Sequence, residues 1–373
     1  MAKIYYSLSG EGRGHATRVR AIVESLRRDH EIVIYAPGYA YDLLAPVYHE
    51  TNVEVRFIPG LSFYYNENKR LDYFRTGCGF FRYLADFPSI IRRILNDIER
   101  EDPELAITDF EPALPRAAAK SGLPFISLNH QHFLVTYDMN DLSEELKRKV
   151  RFMSCVVRAY YSGQIDTVVS SFFFPPLKKG YEDVVQSGVM LRPEIVNADT
   201  YNGKHLVAYV RRFSSESVMR SLRKAGCRVK IYGLGARPSE GNLRFHDVDV
   251  FRFVEDLASS RGLVCTAGNQ LVGEALYLGK PVLAMPEEGN YEQYINAHYL
   301  EKSGAGEAVE MNRITPGRLR HFMDRLDLFR SRIDRNRLYG NPSALSAIRR
   351  RLPHSQPAYV PADATVTAEE VTV

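Results

Sequence analysis

The sequence predicts an α/β protein built from two doubly wound domains that face a central cleft. Two successive sets of alternating strand and helix patterns carry this expectation, each with a glycine-containing turn after one of its strands. A chain of 373 residues is also long for a single compact core.

The first strand pattern covers residues 3–9. Residues 16–28 then place Val19, Ile22, Val23 and Leu26 on one helical face. Strand patterns return at 31–36, stopped by Pro37-Gly38, and at 53–58, 105–108 and 125–128. Residues 59–78 read as a long loop with aromatic residues between Phe63 and Phe74, longer than a connection needs. A helix follows over 80–100, with Pro88 as a kink or break and Arg82, Arg92 and Arg93 flanking the apolar stripe. That stripe suits a core-facing helix, and also a membrane surface or a lipid-linked acceptor. Alternation restarts at 204–210 and continues at 229–232, 243–245, 263–266 and 282–285. These patterns divide the chain into an N-terminal domain over 1–190, a linker over 191–202 and a C-terminal domain over 203–352 with terminal helices. A tail follows over 353–373, of disordered composition.

Hydrophobic residues make up 45% and charged residues 25%, which excludes a wholly disordered chain. The net charge of +4 is too small to indicate nucleic acid, and no zinc-finger spacing appears. Local basic runs at Arg92-Arg93, Arg211-Arg212 and Arg349-Arg350-Arg351 read as solvated faces. The cysteines at 78, 155, 227 and 265 match no metal or redox spacing. Without a secretory pattern or an apolar run near the roughly 20 residues of a membrane span, the expectation is a cytoplasmic protein, with peripheral contact at the inner membrane face left open.

Ser9-Gly10-Glu11-Gly12-Arg13-Gly14-His15 lies where the first strand turns into the first helix. Glycines let the backbone turn tightly and approach a ligand, and a helix N-terminus offers unpaired N–H groups. A dinucleotide-binding loop is the obvious rival. His15 replaces the third glycine of that fingerprint, and the second strand ends at Ala36-Pro37 with no carboxylate for a ribose. An imidazole in the first helical turn feels the positive end of the helix dipole, which favours a neutral base. Asp109 ends a strand on the side where ligands bind in such sheets and can orient that imidazole, with Glu111 as a nearby competitor. His130 and His132 approach the same edge and read either as acceptor contacts or as ordinary loop polarity.

The second domain carries a denser constellation. A strand ending at Cys265-Thr266 leads through Ala267-Gly268-Asn269-Gln270 into a helix, again aiming backbone N–H groups at an anion such as a diphosphate. Glu274 lies one turn into this helix, where it can accept two ribose hydroxyls. Gly279-Lys280-Pro281 opens the next strand, and Glu292-Gln293 precede Asn296-Ala297 on a further helix.

These segments resemble the GT-B glycosyltransferases of the UDP-glycosyltransferase and peptidoglycan lipid-intermediate GlcNAc-transferase type, whose two Rossmann-like domains face a central cleft. The resemblance implies that Glu274 holds the donor ribose, that Gly268, Asn269, Gln270, Glu292 and Gln293 belong to the donor site, and that Gly12, Arg13 and Gly14 lead to a catalytic His15. In the plant-type members the orienting Asp falls near Asp109. Thr266 stands where many relatives carry a phosphate-binding His, and the pair is Glu-Gln in place of Asp-Gln.

Two further sites follow in the second domain. Arg211 or Arg212, after the strand at 204–210, is placed to offset a departing diphosphate, or equally to form a surface ion pair. Phe253 and Val254 match the region where relatives hold the base through backbone groups. Asp247-Val248-Asp249 has the form by which another glycosyltransferase fold holds a metal, but its position favours a polar loop.

The expected function is inverting, metal-independent transfer of a sugar from a nucleotide-diphosphate donor, UDP by resemblance, to an acceptor hydroxyl. No cofactor is expected, the acceptor being soluble or lipid-linked. The alternatives are a nucleotide-sugar 2-epimerase of the same fold and a non-catalytic nucleotide- or partner-binding protein.

Overall fold

A computed structural model describes residues 1–10, 12–60, 73–160, 163–211 and 216–352, apart from the side chains at 73–80. The aromatic loop at 61–72, Arg212 and the tail at 353–373 lie outside the described residues.

The N-terminal lobe holds strands β1 (Lys3–Leu8), β2 (Glu31–Ala36), β3 (Val53–Phe57), β4 (Leu105–Asp109), β5 (Phe125–Asn129), β6 (Asp166–Ser170) and β7 (Val185–Ser187). They pair in parallel in the order β3-β2-β1-β4-β5-β6-β7. The central strands are buried on both faces, which is why β1, β2, β4 and β5 read as nearly continuous apolar runs. The helices are α1 (Gly12–Leu26), α2 (Gly38–Tyr48), α3 (Tyr73–Glu101), α4 (Ala113–Ser121), α5 (Phe133–Thr136) and α6 (Glu144–Tyr160). Chain order reverses between β1 and β4, so the crevice of this sheet opens at the ends of those two strands.

The second lobe follows α7 (Pro193–Val196). Its strands are β8 (His205–Tyr209), β9 (Arg228–Tyr232), β10 (Arg237–Glu240), β11 (Leu243–His246), β12 (Leu263–Cys265), β13 (Val282–Ala284) and β14 (Gly306–Ala308). Their order is β10-β11-β9-β8-β12-β13-β14, parallel except for the β10 edge, and the reversal falls between β8 and β12. The accompanying helices are α8 (Glu216–Arg223), α9 (Val250–Ala258), α10 (Asn269–Tyr277), α11 (Tyr291–Ser303), α12 (Pro316–Asp324), α13 (Leu326–Arg330), α14 (Arg335–Leu338) and α15 (Asn341–Arg349).

Three readings of the sequence change. The helix expected over 80–100 begins at Tyr73, so the segment expected as loop over 59–78 is partly helical. Tyr83, Ile90, Ile91, Ile94 and Ile98 pack into the N-terminal core, whereas Phe81 and Leu84 near its start are exposed. The terminal helices do not all stay with the second lobe. Ala344, Leu345, Ala347, Ile348 and Leu352 pack into the first lobe's core against α1 and the β6–β7 edge. A 3.6-residue apolar period specifies a buried face without naming the lobe that buries it. Finally, α6, β6, β7 and β14 are elements for which the sequence reading made no assignment.

Among the described residues the chain therefore crosses between the lobes twice, and the crossings touch. Val189 pairs with Tyr339, and Asn341 exchanges hydrogen bonds with the Leu191 backbone in both directions at 2.7 Å. Gly188 and Gly340 permit this approach: a Cβ on Gly188 would lie 2.4 Å from the Leu338 carbonyl oxygen, and one on Gly340 would lie 2.1 Å from that of Gly188.

Among the described residues no helix is long and apolar enough to cross a membrane.

Candidate active site

α1 starts at Gly12, directly after the β1 end of the first switch point, and so carries Gly12, Arg13, Gly14 and His15 in its first turn. Across the crevice α10 starts after the β12 end of the second switch point. The two N-termini approach each other: a Cβ on Gly14 would sit 3.6 Å from Gln270 Cβ. Arg13 lies over the Tyr39 ring at 5.6 Å.

His15 and Asp109 come together. Nδ1 of His15 is 3.0 Å from Oδ1 of Asp109, and the imidazole side chain keeps 12% exposure while the carboxylate is fully buried. Burial opposes the charge on Asp109, but the Arg18 guanidinium, and then His15, outweigh it and hold the carboxyl below its usual range. Arg18, one helical turn after His15, donates from Nε to Oδ2 and from Nη2 to Oδ1, both at 2.8 Å. Just past Asp109 the chain turns through Phe110, whose φ of 57° is a costly conformation for an aromatic residue. The ring is held by stacking on Tyr160 at 4.8 Å. Glu111, the competitor for His15, is fully committed elsewhere: its oxygens accept the Ala113 and Leu114 N–H groups and cap α4, and burial pushes its carboxyl up.

His130 and His132 separate. His130 bridges the lobes: Nδ1 is 2.9 Å from the Ser170 carbonyl oxygen, and Nε2 is 3.1 Å from Asn296 Oδ1 and 3.9 Å from Glu292 Oε1. Its burial pushes the imidazole pKa down, with Glu292 opposing. His132 faces inward onto Ser127 and Asn129 at the β5–α5 corner, where burial pushes it down to about 4.

In the second lobe a side chain at Gly268 would meet no protein atom within 4 Å, so the α10 N-terminus has open space before it. Asn269 reaches over to the first lobe, donating to the Ser170 carbonyl at 3.1 Å and accepting the Phe172 N–H at 3.2 Å. Gln270 donates to the Met190 carbonyl at 2.7 Å and to Glu274 at 3.1 Å. Glu274 is buried and meets Arg192, from the crossing segment, at 3.2 Å. Both partners of Glu274 are thus protein groups, and Arg192 is a participant the sequence reading missed.

Gln293 and Arg211 share Glu287. Gln293 accepts the Glu287 N–H at 2.9 Å and donates to its carboxylate at 3.1 Å, while Arg211 pairs with that carboxylate at 3.3 Å from a half-exposed position. Glu292 is the more open of the Glu-Gln pair and also meets Gln131 of the first lobe at 3.4 Å.

Phe253 and Val254, expected to hold the base through backbone groups, are placed by α9. Both lie within α9 with buried side chains, the Phe253 ring is edge-on to Tyr209 and Tyr232, and its N–H is spent on Asp249 within the helix. The Asp247-Val248-Asp249 segment is a polar loop as read: Asp249 caps α9 and Asp247 accepts the Ala236 N–H. Among the described residues no group of acidic, His or Cys side chains has the arrangement of a metal site.

One cross-lobe contact had no local signal. Asp141 of the first lobe accepts from Tyr299 at 2.9 Å and Lys302 at 2.6 Å and lies 3.2 Å from His298, all on α11. Partial burial opposes its charge, yet these three donors hold the carboxyl far below its usual range.

The chain has recognisable relatives. An uncharacterized glycosyltransferase of Methanosarcina mazei is 24% identical over 340 residues, covering 82% of this chain and 84% of the relative. Another from Methanosarcina acetivorans is 23% identical over 335 residues, again 82% and 84%. Among solved structures, the calicheamicin glycosyltransferase CalG4 superposes with a TM-score of 0.65 at 19% identity, covering 96% of this chain and all of CalG4. MurG of Acinetobacter baumannii gives 0.59 at 15%, covering 94% of this chain and all of MurG. UGT2 of Phytolacca americana, complexed with UDP-2-fluoro-glucose and pterostilbene, gives 0.64 at 13%, covering 92% and 95%. These likenesses carry the GT-B fold. Residues 2–327 match the glycosyl transferase family 1 domain, and the chain, a glycosyltransferase, belongs to that family.

Proposed function

We propose that this glycosyltransferase moves a sugar from a UDP-sugar to an acceptor hydroxyl by direct, inverting displacement, without a metal ion or a cofactor. The observation that carries the reading is the His15–Asp109 pair at the first switch point, opposite the open α10 N-terminus of the second.

In this reading Nε2 of His15 removes the acceptor proton as its oxygen attacks the anomeric carbon. Asp109 holds Nδ1 and balances the imidazolium that forms. The diphosphate lies before Gly268 and the α10 N–H groups, with Arg211 exchanging Glu287 for the leaving charge. Glu274 exchanges Arg192 for the ribose hydroxyls. UDP is favoured because UGT2 was solved with UDP-2-fluoro-glucose and another fold relative, LpCGTa, with UDP.

The test is a panel of UDP-, GDP- and dTDP-sugars incubated with candidate acceptors, read by released nucleotide diphosphate and by the anomeric configuration of the product. UDP release with an inverted glycoside supports the reading. An isomerised donor sugar, or a product of retained configuration, contradicts it.

A further inference from the structure

We infer that Arg18 is the positioning residue of the proposed base: by bonding both oxygens of Asp109, it fixes the ring proton of His15 on Nδ1 and leaves Nε2 free to accept a proton. This rests on the reading of His15 as the base, but it concerns the state of a ring that can be observed without turnover.

Arg18 follows His15 by three positions on α1, so the two side chains share a helix face. Its side chain is only 3% exposed, and its planar fork spans Asp109 with two donors. Burial opposes its charge, and Asp109 more than offsets that. Nη2 also lies 3.0 Å from Nδ1 of His15, which sets up a competition. Were Nη2 to donate into Nδ1, the neutral ring would carry its proton on Nε2 and could not act as a base.

Geometry decides against that arrangement. Nη2, Oδ1 and Nδ1 form a triangle with sides of 2.8, 3.0 and 3.0 Å, subtending roughly 60° at Nη2, whereas the two N–H bonds there diverge by about 120°. The two hydrogens reach Oδ1 and Nδ1 together only when each bends about 30° off line, and an unprotonated Nδ1 would then set its lone pair against the carboxylate oxygen at 3.0 Å. The remaining way to fill the 3.0 Å contact between Nδ1 and Oδ1 is for Nδ1–H to donate to the carboxylate. A lysine would supply a point charge without the fork, leaving one Asp109 oxygen free to draw away and the ring free to turn.

The full chain labelled with ¹⁵N-histidine tests this by long-range ¹H–¹⁵N correlation, with His15 assigned by its loss in His15→Gln. The wild-type ring should be the Nδ1–H tautomer. In Arg18→Lys the Nε2–H form should appear, kcat should fall roughly 10- to 100-fold and donor KM should stay within about twofold. Arg18→Gln, which retains one donor to the carboxylate, is read instead if thermal unfolding shows the lysine variant not to be folded. A wild-type ring protonated on Nε2, or a folded variant that keeps the wild-type tautomer, overturns the inference, even if turnover falls. A shifted tautomer with unchanged turnover upholds Arg18 as the positioning residue and refutes His15 as the base.

Discussion

Nδ1 of His15 lies 3.0 Å from Oδ1 of Asp109 although 94 positions separate the two residues. The contact exists because β1 and β4 are neighbours at the switch point of the first sheet, which sets the first turn of α1 beside the end of β4. Replacing His15 by Ala is expected to lower kcat by about 10²–10⁴-fold while donor affinity stays nearly constant. Steady-state turnover and calorimetric titration with UDP check both halves, and normal turnover would remove His15 from the chemistry.

A chelator should leave turnover intact. Helix N–H groups and Arg211 are the proposed partners of the diphosphate, and they supply fixed dipoles and charge without a cation. Rates are measured before and after EDTA dialysis; a loss restored by Mg²⁺ would refute metal independence.

Acid should destabilise the fold above pH 4. His132 is held neutral down to about 4, against 6.5 for a free imidazole. The unfolded chain therefore binds more protons between those values. This stabilisation is complete above about 6.5 and falls as pH drops toward 4, by up to roughly 3 kcal/mol. Urea unfolding of wild type and His132→Asn at pH 7.5 and 5 isolates the contribution. Equal pH dependence in the two would show that His132 does not cause it.

Two glycines should respond oppositely to a methyl group. Gly188→Ala drives Cβ against the Leu338 and Arg337 carbonyl oxygens and is expected to cost about 3 kcal/mol or more. Gly268→Ala meets open space and should change stability by under about 1 kcal/mol while weakening UDP binding. Thermal unfolding and UDP titration of both variants decide. A Gly268→Ala protein that binds UDP as wild type does would move the diphosphate elsewhere.

Much of the fold is legible because a buried parallel strand must be apolar on both faces, and β1, β2, β4 and β5 are. The outer strands β7 and β14 are as short as β12 and β13, but Val185-Gln186-Ser187 and Gly306-Glu307-Ala308 include polar residues and form no apolar run, whereas β12 and β13 are wholly apolar. The turns ending in His15 and Gly268 could be read because glycine and strand-to-helix order mark them locally. The partners of Asn269 and Gln270 could not: Ser170, Phe172 and Met190 lie 80 to 99 positions away and are met through backbone groups that carry no residue identity. Arg18 was hidden for another reason. An arginine on a helix is ordinarily a surface residue, and only the position of Asp109 shows that this one is turned inward.

The adjoining crossings at Gly188 and Gly340 have a mechanical consequence. Two segments fastened side by side, by the Asn341–Leu191 exchange and the Val189–Tyr339 bridge, oppose sliding of one half over the other but leave rotation about their common waist. Any movement that parted Gly14 from Gln270, or Asp141 from Lys302, would have to keep those two fastenings and so turn about them.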